Sequence, residues 1–348
     1  MDAKSPGRYN ALSRFRIIEN IGVGAYGSVF KAFDLETKEV VALKILKAYD
    51  QKESLPLSFY RELGVLQNIK HENIVSYGGV FRYPHEICIT LEYCETDLQK
   101  QLSCQPLLQP NQVKHLMRQL LNGLAELHQA GYAHRDLKPS NILIKGGRTL
   151  KITDFGLSRQ LNSKQLTSKV TSLAYRAPEL ILGSKDYTSA IDIWSAGIIF
   201  YELCTGEKFP SACSDLSQLD KIFRVTGTPS PSSDDEKSPE IQSDGDILCH
   251  LPNWRLASML HIYPRTLEQL LKDKLPSELA DAFDIITSML SLNPSNRPSA
   301  VELLRNPFFS VPEEISPLAL PEIKSSPDTS APLRAPLKRP MPILLECN

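Results

Sequence analysis

Near residue 95 the chain changes texture, and this change constrains its fold more than any other feature. Before it, the sequence runs in short β-branched or aromatic segments, "FRIIENIGVG", "SVFKAF", "VVALKIL" and "ICITLEY", separated by turn-like pieces. Such segments read as strands. One helix interrupts them at "LSFYRELGVLQNI", where Phe59, Leu63, Leu66 and Ile69 recur at helical spacing. Beyond "DLQKQL" the helical period dominates. In "QVKHLMRQLLNGLAELHQAG" a single apolar stripe runs through Val113, Leu116, Met117, Leu120, Leu121, Leu124 and Leu127, and Gly131 stands where a C-cap is expected. "NILI" and "LKI", on either side of Gly146-Gly147, read as a hairpin. Later helices are expected at 190–205, apolar all round and therefore buried, at about 265–272, and at 279–291. The pattern is α+β, a small β-rich lobe followed by a larger helical one.

Composition excludes several classes. A net charge of -1 over 348 residues gives no bulk attraction to nucleic acid or an anionic membrane. With 42% hydrophobic residues the chain is long enough for one large domain or two lobes. The N-terminus lacks the apolar core of a signal peptide, and the most apolar run, "AIDIWSAGIIFYELC", is too short and too polar to span a bilayer. Seven scattered cysteines without a C-x-x-C pair read as reduced thiols of a cytosolic or nuclear protein. Residues 229–248 are rich in Pro, Ser and Asp and read as a long exposed insertion. From about residue 310 the Pro-rich tail is expected to be disordered or draped over the domain.

Four stretches carry chemistry. "GVGAYGSV" sets Gly22, Gly24 and Gly27 at a spacing that a dinucleotide-binding turn also shows. That turn opens a helix, whereas β-branched runs on both sides of a polar turn follow here, so a glycine-rich hairpin over phosphates fits better than a merely mobile turn. "VALK" puts Lys44 on the next strand, with Leu43 and Ile45 on its other face, and Glu62 on the helix is the natural counter-charge. A surface pair of this kind contributes only about 0–1 kcal/mol, so Glu62 gains meaning only through the lysine and the glycines. Asp154 of "DFG" ends the hairpin that Asn141 begins, and both can converge on one Mg²⁺. In "HRDLKPSN", Asp136 is placed to take a proton from an attacking hydroxyl, and Lys138 to neutralise a transferring phosphoryl group.

The set G-x-G-x-x-G-x-V, V-A-x-K, H-R-D-L-K-x-x-N, D-F-G and A-P-E (177–179) resembles the eukaryotic protein kinases in order and spacing over about residues 15–309. The resemblance implies a bilobal fold, with a small antiparallel β-sheet N-lobe bearing one regulatory helix (about 15–94) and a larger, mainly helical C-lobe (about 95–309). A 1–14 extension, a polar insertion at about 229–262 and a 310–348 tail complete the organisation. ATP and Mg²⁺ are the implied cofactors. The resemblance assigns ATP contacts to Ile21, Gly22, Val23, Gly24, Ala25, Tyr26, Gly27, Val29, Ala42, Lys44 and Glu62. Leu91 becomes the gatekeeper, Glu92 to Cys94 the hinge, and Leu143 the far wall of the adenine pocket, while Asn141 and Asp154 hold the metal. Lys138 followed by Pro-Ser is the serine/threonine form of the loop. Asp192 is implied to anchor that loop, and Glu179 to pair with Arg297.

Within the family, "VTSLAYRAPELILG" and "IFRVTGTP" resemble the proline-directed, cyclin-dependent branch. "PLSFYRE", residues 56–62, resembles a cyclin-binding helix that keeps the proline and the final Arg-Glu and changes the four residues between. The implied partners are a cyclin that presses Glu62 toward Lys44, and a kinase that activates the chain at Thr167. Arg61, Arg135 and Arg159 match the cluster that binds such a phosphate. Tyr26 is a candidate inhibitory phosphorylation site, although Ala25 replaces the threonine that accompanies it in relatives. Arg176 is retained for the pocket that accepts proline after the phosphoacceptor, while Thr171 and Ala174 depart from the family pattern. Ser172 keeps a hydroxyl that in relatives bonds the catalytic aspartate and lysine. Protein Ser/Thr-Pro substrates and residence in nucleus or cytoplasm are expected. The changed "PLSFYRE" keeps open a proline-directed kinase that needs no cyclin. A pseudokinase scaffold finds no support, because Lys44, Glu62, Asp136, Asn141 and Asp154 are all present.

Overall fold

The computed structural model describes residues 14–24, 27–47, 56–82, 86–161, 172–229, 246–310, 316–321 and 341–342. The chain forms two compact units. The first takes Met1–Tyr60, Val75–Glu95 and Glu322–Asn348, and the second Arg61–Ile74 and Thr96–Pro321.

In the first unit the β-branched segments pair into one antiparallel sheet. β1 (Phe15–Gly24) and β2 (Gly27–Asp34) form the glycine-rich hairpin, and β3 (Val40–Lys47) follows. β5 (Glu86–Glu92) then lies between β3 and β4 (Tyr77–Arg82), and a two-residue piece, Met341–Pro342, pairs with the outer edge of β4. Alternation along the strands sends Phe15, Ala32, Leu43 and Cys88 into a core that Ile17, Val41, Ile45 and Phe81 complete. Phe15 meets Phe81 edge-on at 5.5 Å, and the Arg14 guanidinium lies 4.8 Å from the Phe81 ring centre. The same guanidinium grips Asp34 with two nitrogens, Nε at 3.0 Å and Nη2 at 2.7 Å. Burial pushes the Asp34 carboxyl up, but the hydrogen bonds from Arg14 and the Glu36 amide outweigh it and hold the group below its usual range. Gly27 has no room for a side chain: a Cβ there would lie 2.0 Å from the Ile45 carbonyl oxygen.

β4 was not visible as a strand in the sequence, because "YGGVFR" carries two glycines that weaken the pattern.

The unit boundary passes through α1 (Leu57–Asn68), whose residues from Arg61 onward belong to the second unit. That unit continues with β6 (Thr96–Asp97), α2 (Leu98–Cys104), α3 (Pro110–Gln129) and β7 (Tyr132–Ala133). The hairpin β8 (Ile142–Lys145) and β9 (Thr149–Ile152) and the short β10 (Arg159–Gln160) follow. α3 starts on a capping box between Gln109 and Gln112, buries the whole predicted stripe, and ends before Gly131 at φ 81°. After α4 (Pro178–Ile181) comes α5 (Ala190–Thr205), buried along Ala190–Cys204 as its all-round apolarity requires. Gly206, left-handed at φ 70°, ends it. Arg297 and Glu179 form a buried double-bonded pair at 2.7 and 2.8 Å, with the guanidinium 5.0 Å from the Trp194 ring centre.

Among the helices missed in the sequence are α2 and α6 (Asp215–Thr226). The expected helices at about 265–272 and 279–291 run over Leu267–Lys274 and Ala282–Met289. The end of the polar insertion is corrected: Asp246–Cys249 is a helical turn that turns Leu248 fully inward, so the exposed stretch does not extend to residue 248. Residues 230–245 lie outside the described residues, as does most of the tail, although Ser316–Pro321 lie on the second unit. No disulfide joins cysteines among the described residues, and no described helix is long and apolar enough to cross a membrane.

Candidate active site

The loop between α3 and β8 is held by one buried carboxylate. Asp192, in the first turn of α5 and 1% exposed, accepts the backbone N–H groups of His134 at 2.8 Å and Arg135 at 2.9 Å. His128, near the end of α3, adds a bond from Nε2 at 2.9 Å. Burial pushes the Asp192 carboxyl up, but the hydrogen bond and field of His128, with His134 and the Arg135 amide, hold it below the usual carboxylate range. The two amides fix Arg135 in a left-handed conformation at φ 70°, which costs a non-glycine residue about 1–3 kcal/mol and persists only where the surroundings enforce it.

His134 clamps the other side. Its Nε2 lies 2.9 Å from the Thr153 carbonyl, which can only accept, so Nε2 carries the proton. Nδ1 then accepts the Asp136 N–H at 3.2 Å, and the ring packs edge-on against Phe155 at 5.3 Å. Asp136 and the "DFG" segment thereby share one support.

Around the Asp136 carboxylate stand three donors. Lys138 Nζ lies 2.7 Å and Asn141 Nδ2 3.1 Å from Oδ2, and the Ser172 backbone N–H donates to Oδ1 at 3.0 Å. The last contact differs from the expectation for Ser172: the amide, not the hydroxyl, reaches the aspartate. Ser172 precedes a 3₁₀ turn, Leu173–Tyr175, which aims its N–H at the carboxylate. A carboxylate has about four lone-pair directions, so three donors leave one for a substrate hydroxyl.

Asn141 spends Nδ2 on Asp136, also reaching its carbonyl at 2.8 Å, which leaves Oδ1 as the free donor oxygen of the amide. The Thr153 N–H bonds the Asn141 carbonyl at 3.0 Å, so Asp154, the next residue, is tied to the start of the hairpin. Asp154 is exposed and left-handed at φ 64°. No group of three or more His, Cys, Asp or Glu is gathered as a metal cage among the described residues. Two hard oxygen donors without a cage fit Mg²⁺, which takes one or two protein oxygens and completes its shell with phosphates and water.

In the first unit, Gly24 pairs with Gly27 across the hairpin tip, and Gly22 pairs with Val29. Ala25 and Tyr26 lie outside the described residues. Val29 pairs with Lys44 and Ala42 with Leu91, so strand alternation puts Val29, Ala42, Lys44 and Leu91 on one face of the sheet. Ile21 and Val23 flank Gly22 on β1, with Val23 exposed, and Glu92 ends β5 two residues before the buried Cys94. The buried Glu62 and the half-buried Leu143 belong to the second unit.

Arg61, Arg135 and Arg159, far apart in sequence, converge in the second unit. Burial lowers the Arg135 pKa, and the neighbouring charges of Arg159 and Arg61 lower it further against Tyr187 and Asp192. The Tyr187 ring lies 5.4 Å from the Arg135 guanidinium. Arg61 and Arg159 thus lie within electrostatic range of Arg135, a concentration of positive charge that favours an anion nearby. Thr167 and Thr171 lie outside the described residues. Arg176 reaches Asp215 of α6 at 2.7 Å. Sequence reasoning missed His128, Tyr187 and Asp215. His128 lies six residues before His134, and Tyr187 five before Asp192, spacings that carry no periodic signal.

A family model described as "Protein kinase domain" matches residues 15–309. Cyclin-dependent kinase 11 of Dictyostelium discoideum is 38% identical over 90% of this chain and 85% of its own length. Cell division control protein 2 homolog 3 of Trypanosoma brucei brucei is 36% identical over 88% of this chain and 95% of its own. Cyclin-dependent kinase D-1 of Arabidopsis thaliana is 35% identical over 90% and 75%. Among solved structures, a chain of the yeast RNA Pol II CTD kinase CTDK-1 complex superposes with a TM-score of 0.77 at 30% identity, covering 91% of this chain and 99% of that one. The chain belongs to the protein kinase family and is an ATP-using protein serine/threonine kinase of the cyclin-dependent-kinase type.

Proposed function

We propose that the chain transfers the γ-phosphate of ATP to a serine or threonine followed by proline, and that a cyclin and phosphorylation of Thr167 switch it on. The observation that carries the chemistry is the Asp136 carboxylate, held by Lys138, Asn141 and Ser172 with one lone-pair direction left open. Asp136 takes the proton of the substrate hydroxyl as its oxygen bonds to the γ-phosphorus and the bond to ADP breaks. Lys138 neutralises charge on the phosphoryl oxygens. Asn141 and Asp154 would hold Mg²⁺, which when bound supplies positive charge to the nucleotide phosphates. Lys44 orients the phosphates from the first unit, beneath the hairpin of Gly22, Gly24 and Gly27, and the apolar face of Val29, Ala42 and Leu91 receives the base.

Control rests on two features. α1 leaves Leu57 70% and Tyr60 47% exposed, apolar surface of the kind a partner covers. The names of the two cyclin-dependent relatives favour a cyclin as that partner. The Arg61, Arg135 and Arg159 cluster favours a phosphate on Thr167, whose roughly −2 charge would tie α1, the catalytic loop and β10 together.

The test is phosphate transfer from Mg-ATP to a Ser-Pro peptide, with and without a panel of cyclins, on the wild-type chain and Thr167→Ala. One cyclin should raise the rate by about 5–150-fold, and Thr167→Ala should remove most of that gain. Full activity alone, unchanged by every cyclin and by Thr167→Ala, would overturn the regulatory part. Equal rates on Ser-Pro and Ser-Ala peptides would overturn the specificity.

A further inference from the structure

Residues 316–321, Ser-Pro-Leu-Ala-Leu-Pro, lie extended across a surface that the catalytic machinery does not use. α2, α3 and the β8–β9 turn form that surface. Gln112 Nε2 donates to the Ser316 carbonyl at 3.2 Å, the Leu318 N–H to the Gly147 carbonyl at 2.8 Å, and Gln101 Nε2 to the Ala319 carbonyl at 3.0 Å. Leu318 is 5% exposed, whereas Pro317, Ala319 and Leu320 stay in solvent. Gln112, Leu116, Gly147 and Leu318 line a small hollow together with His115 and Arg148. Gly147 is needed for the approach: it is left-handed at φ 66°, and a Cβ there would stand 2.7 Å from the Leu318 carbonyl oxygen.

This geometry has the properties of a peptide site. Among the described residues the hydrogen bonds of Gln101, Gln112 and Gly147 go to the backbone of the bound segment, so these bonds recognise an extended chain rather than a composition, and one apolar side chain supplies the anchor. The tail fills the site incompletely. Gln101 is wholly buried, yet its Oε1 accepts no hydrogen bond among the described residues, and His115 Nδ1 is likewise buried and unbonded there. A better occupant would donate to these atoms. Charge defines its flanks: Arg148 lines the hollow and Arg118 lies within electrostatic range of His115, while in sequence Glu313, Glu314 and Glu322 bracket the docked segment.

We propose that this surface is a docking groove for protein partners that present an extended segment with one leucine anchor and acidic flanks, and that residues 316–321 are its built-in occupant, which a partner displaces. Tethering keeps the resident segment at high local concentration, so a free peptide meets an occupied groove.

The experiment is fluorescence polarisation with a labelled peptide of residues 313–322 against the full-length chain. Leu318→Asp in the chain, which unseats the resident segment, should tighten peptide binding about tenfold or more. A peptide carrying the same Leu→Asp change should bind neither protein. Gln112→Ala added to Leu318→Asp should weaken binding again, and the phosphate-transfer rate of each variant checks that it is folded. Equal peptide affinity for wild type and Leu318→Asp, or undiminished binding of the altered peptide, would overturn the proposal. The binding readout does not depend on phosphate transfer or on substrate specificity.

Discussion

The Asp136 loop and the glycine-rich hairpin, both assigned to the proposed phosphate transfer, are built on opposite principles. The loop is over-determined: Asp192 takes two successive amides and a histidine, His134 takes a third amide and a carbonyl, and Arg135 is kept in a conformation it would not choose. The hairpin is held by its strand ladder, interrupted by two register irregularities in β1, and it presents Val23 to solvent. Under the proposed function, rigidity is concentrated where a proton and a phosphoryl group would be positioned to a fraction of an ångström, and compliance where a nucleotide would enter and leave.

Asp136→Asn should give the largest effect. The amide keeps the shape but cannot take the proton, so kcat should fall by about 10²–10⁴-fold while ATP affinity is kept. Steady-state kinetics with a Ser-Pro peptide and nucleotide titration decide it; a kcat near wild type would remove Asp136 from the proposed role.

Asp192→Asn comes next, because it attacks the support rather than the chemistry. An asparagine offers one acceptor oxygen where two carboxylate oxygens now serve two amides and His128. The loss should cost about 1–3 kcal/mol in stability, and the loosened loop should lower kcat by up to about 10²-fold. The folded pKa of Asp192 lies below its ordinary 3.8, so its contribution is complete above that value and is lost as pH falls through the depressed one. The stability gap between wild type and mutant, read from denaturant midpoints, should hold at pH 7 and close below about pH 4. A gap that widens on acidification would reverse the assigned sign.

These two sites also show how far the sequence is legible. Asp136, Asn141, Asp154 and the α3 stripe could be read directly, because short local motifs and a 3.6 period encode them. The anchoring role of Asp192 came from family resemblance; its bond to His128 did not, since 64 residues separate them and only the fold joins them. Ser172 misled because side-chain chemistry can be read from sequence and the direction of a backbone N–H cannot. β4 and α6 were lost for opposite reasons, the first to glycines that dilute a strand and the second to a stretch read only as a motif. The seat of Leu318 gave no signal, since a Pro-rich segment has no period to betray its one buried residue.

The hairpin should respond more weakly, and unevenly. At Gly27 a methyl group would meet the Ile45 carbonyl at 2.0 Å, so Gly27→Ala must push β2 away from β3 at a cost of about 1–3 kcal/mol. The shift should raise KM for ATP more than it lowers kcat, since it moves the phosphate cover and leaves Asp136 in place. At Gly22 the nearest atom to an added Cβ is Val29 Cβ at 3.9 Å, an ordinary contact, and the residue has no left-handed φ to lose. Gly22→Ala should therefore leave the unfolding midpoint unchanged, and any rise in KM for ATP would come from the methyl group crowding the phosphates the hairpin covers. Measuring both variants side by side separates the two uses of glycine in one hairpin: strand packing at position 27 and access to the ligand at position 22. Equal loss of stability in the two would mean that the hairpin is as tightly determined as the catalytic loop, and the contrast between the regions would fail.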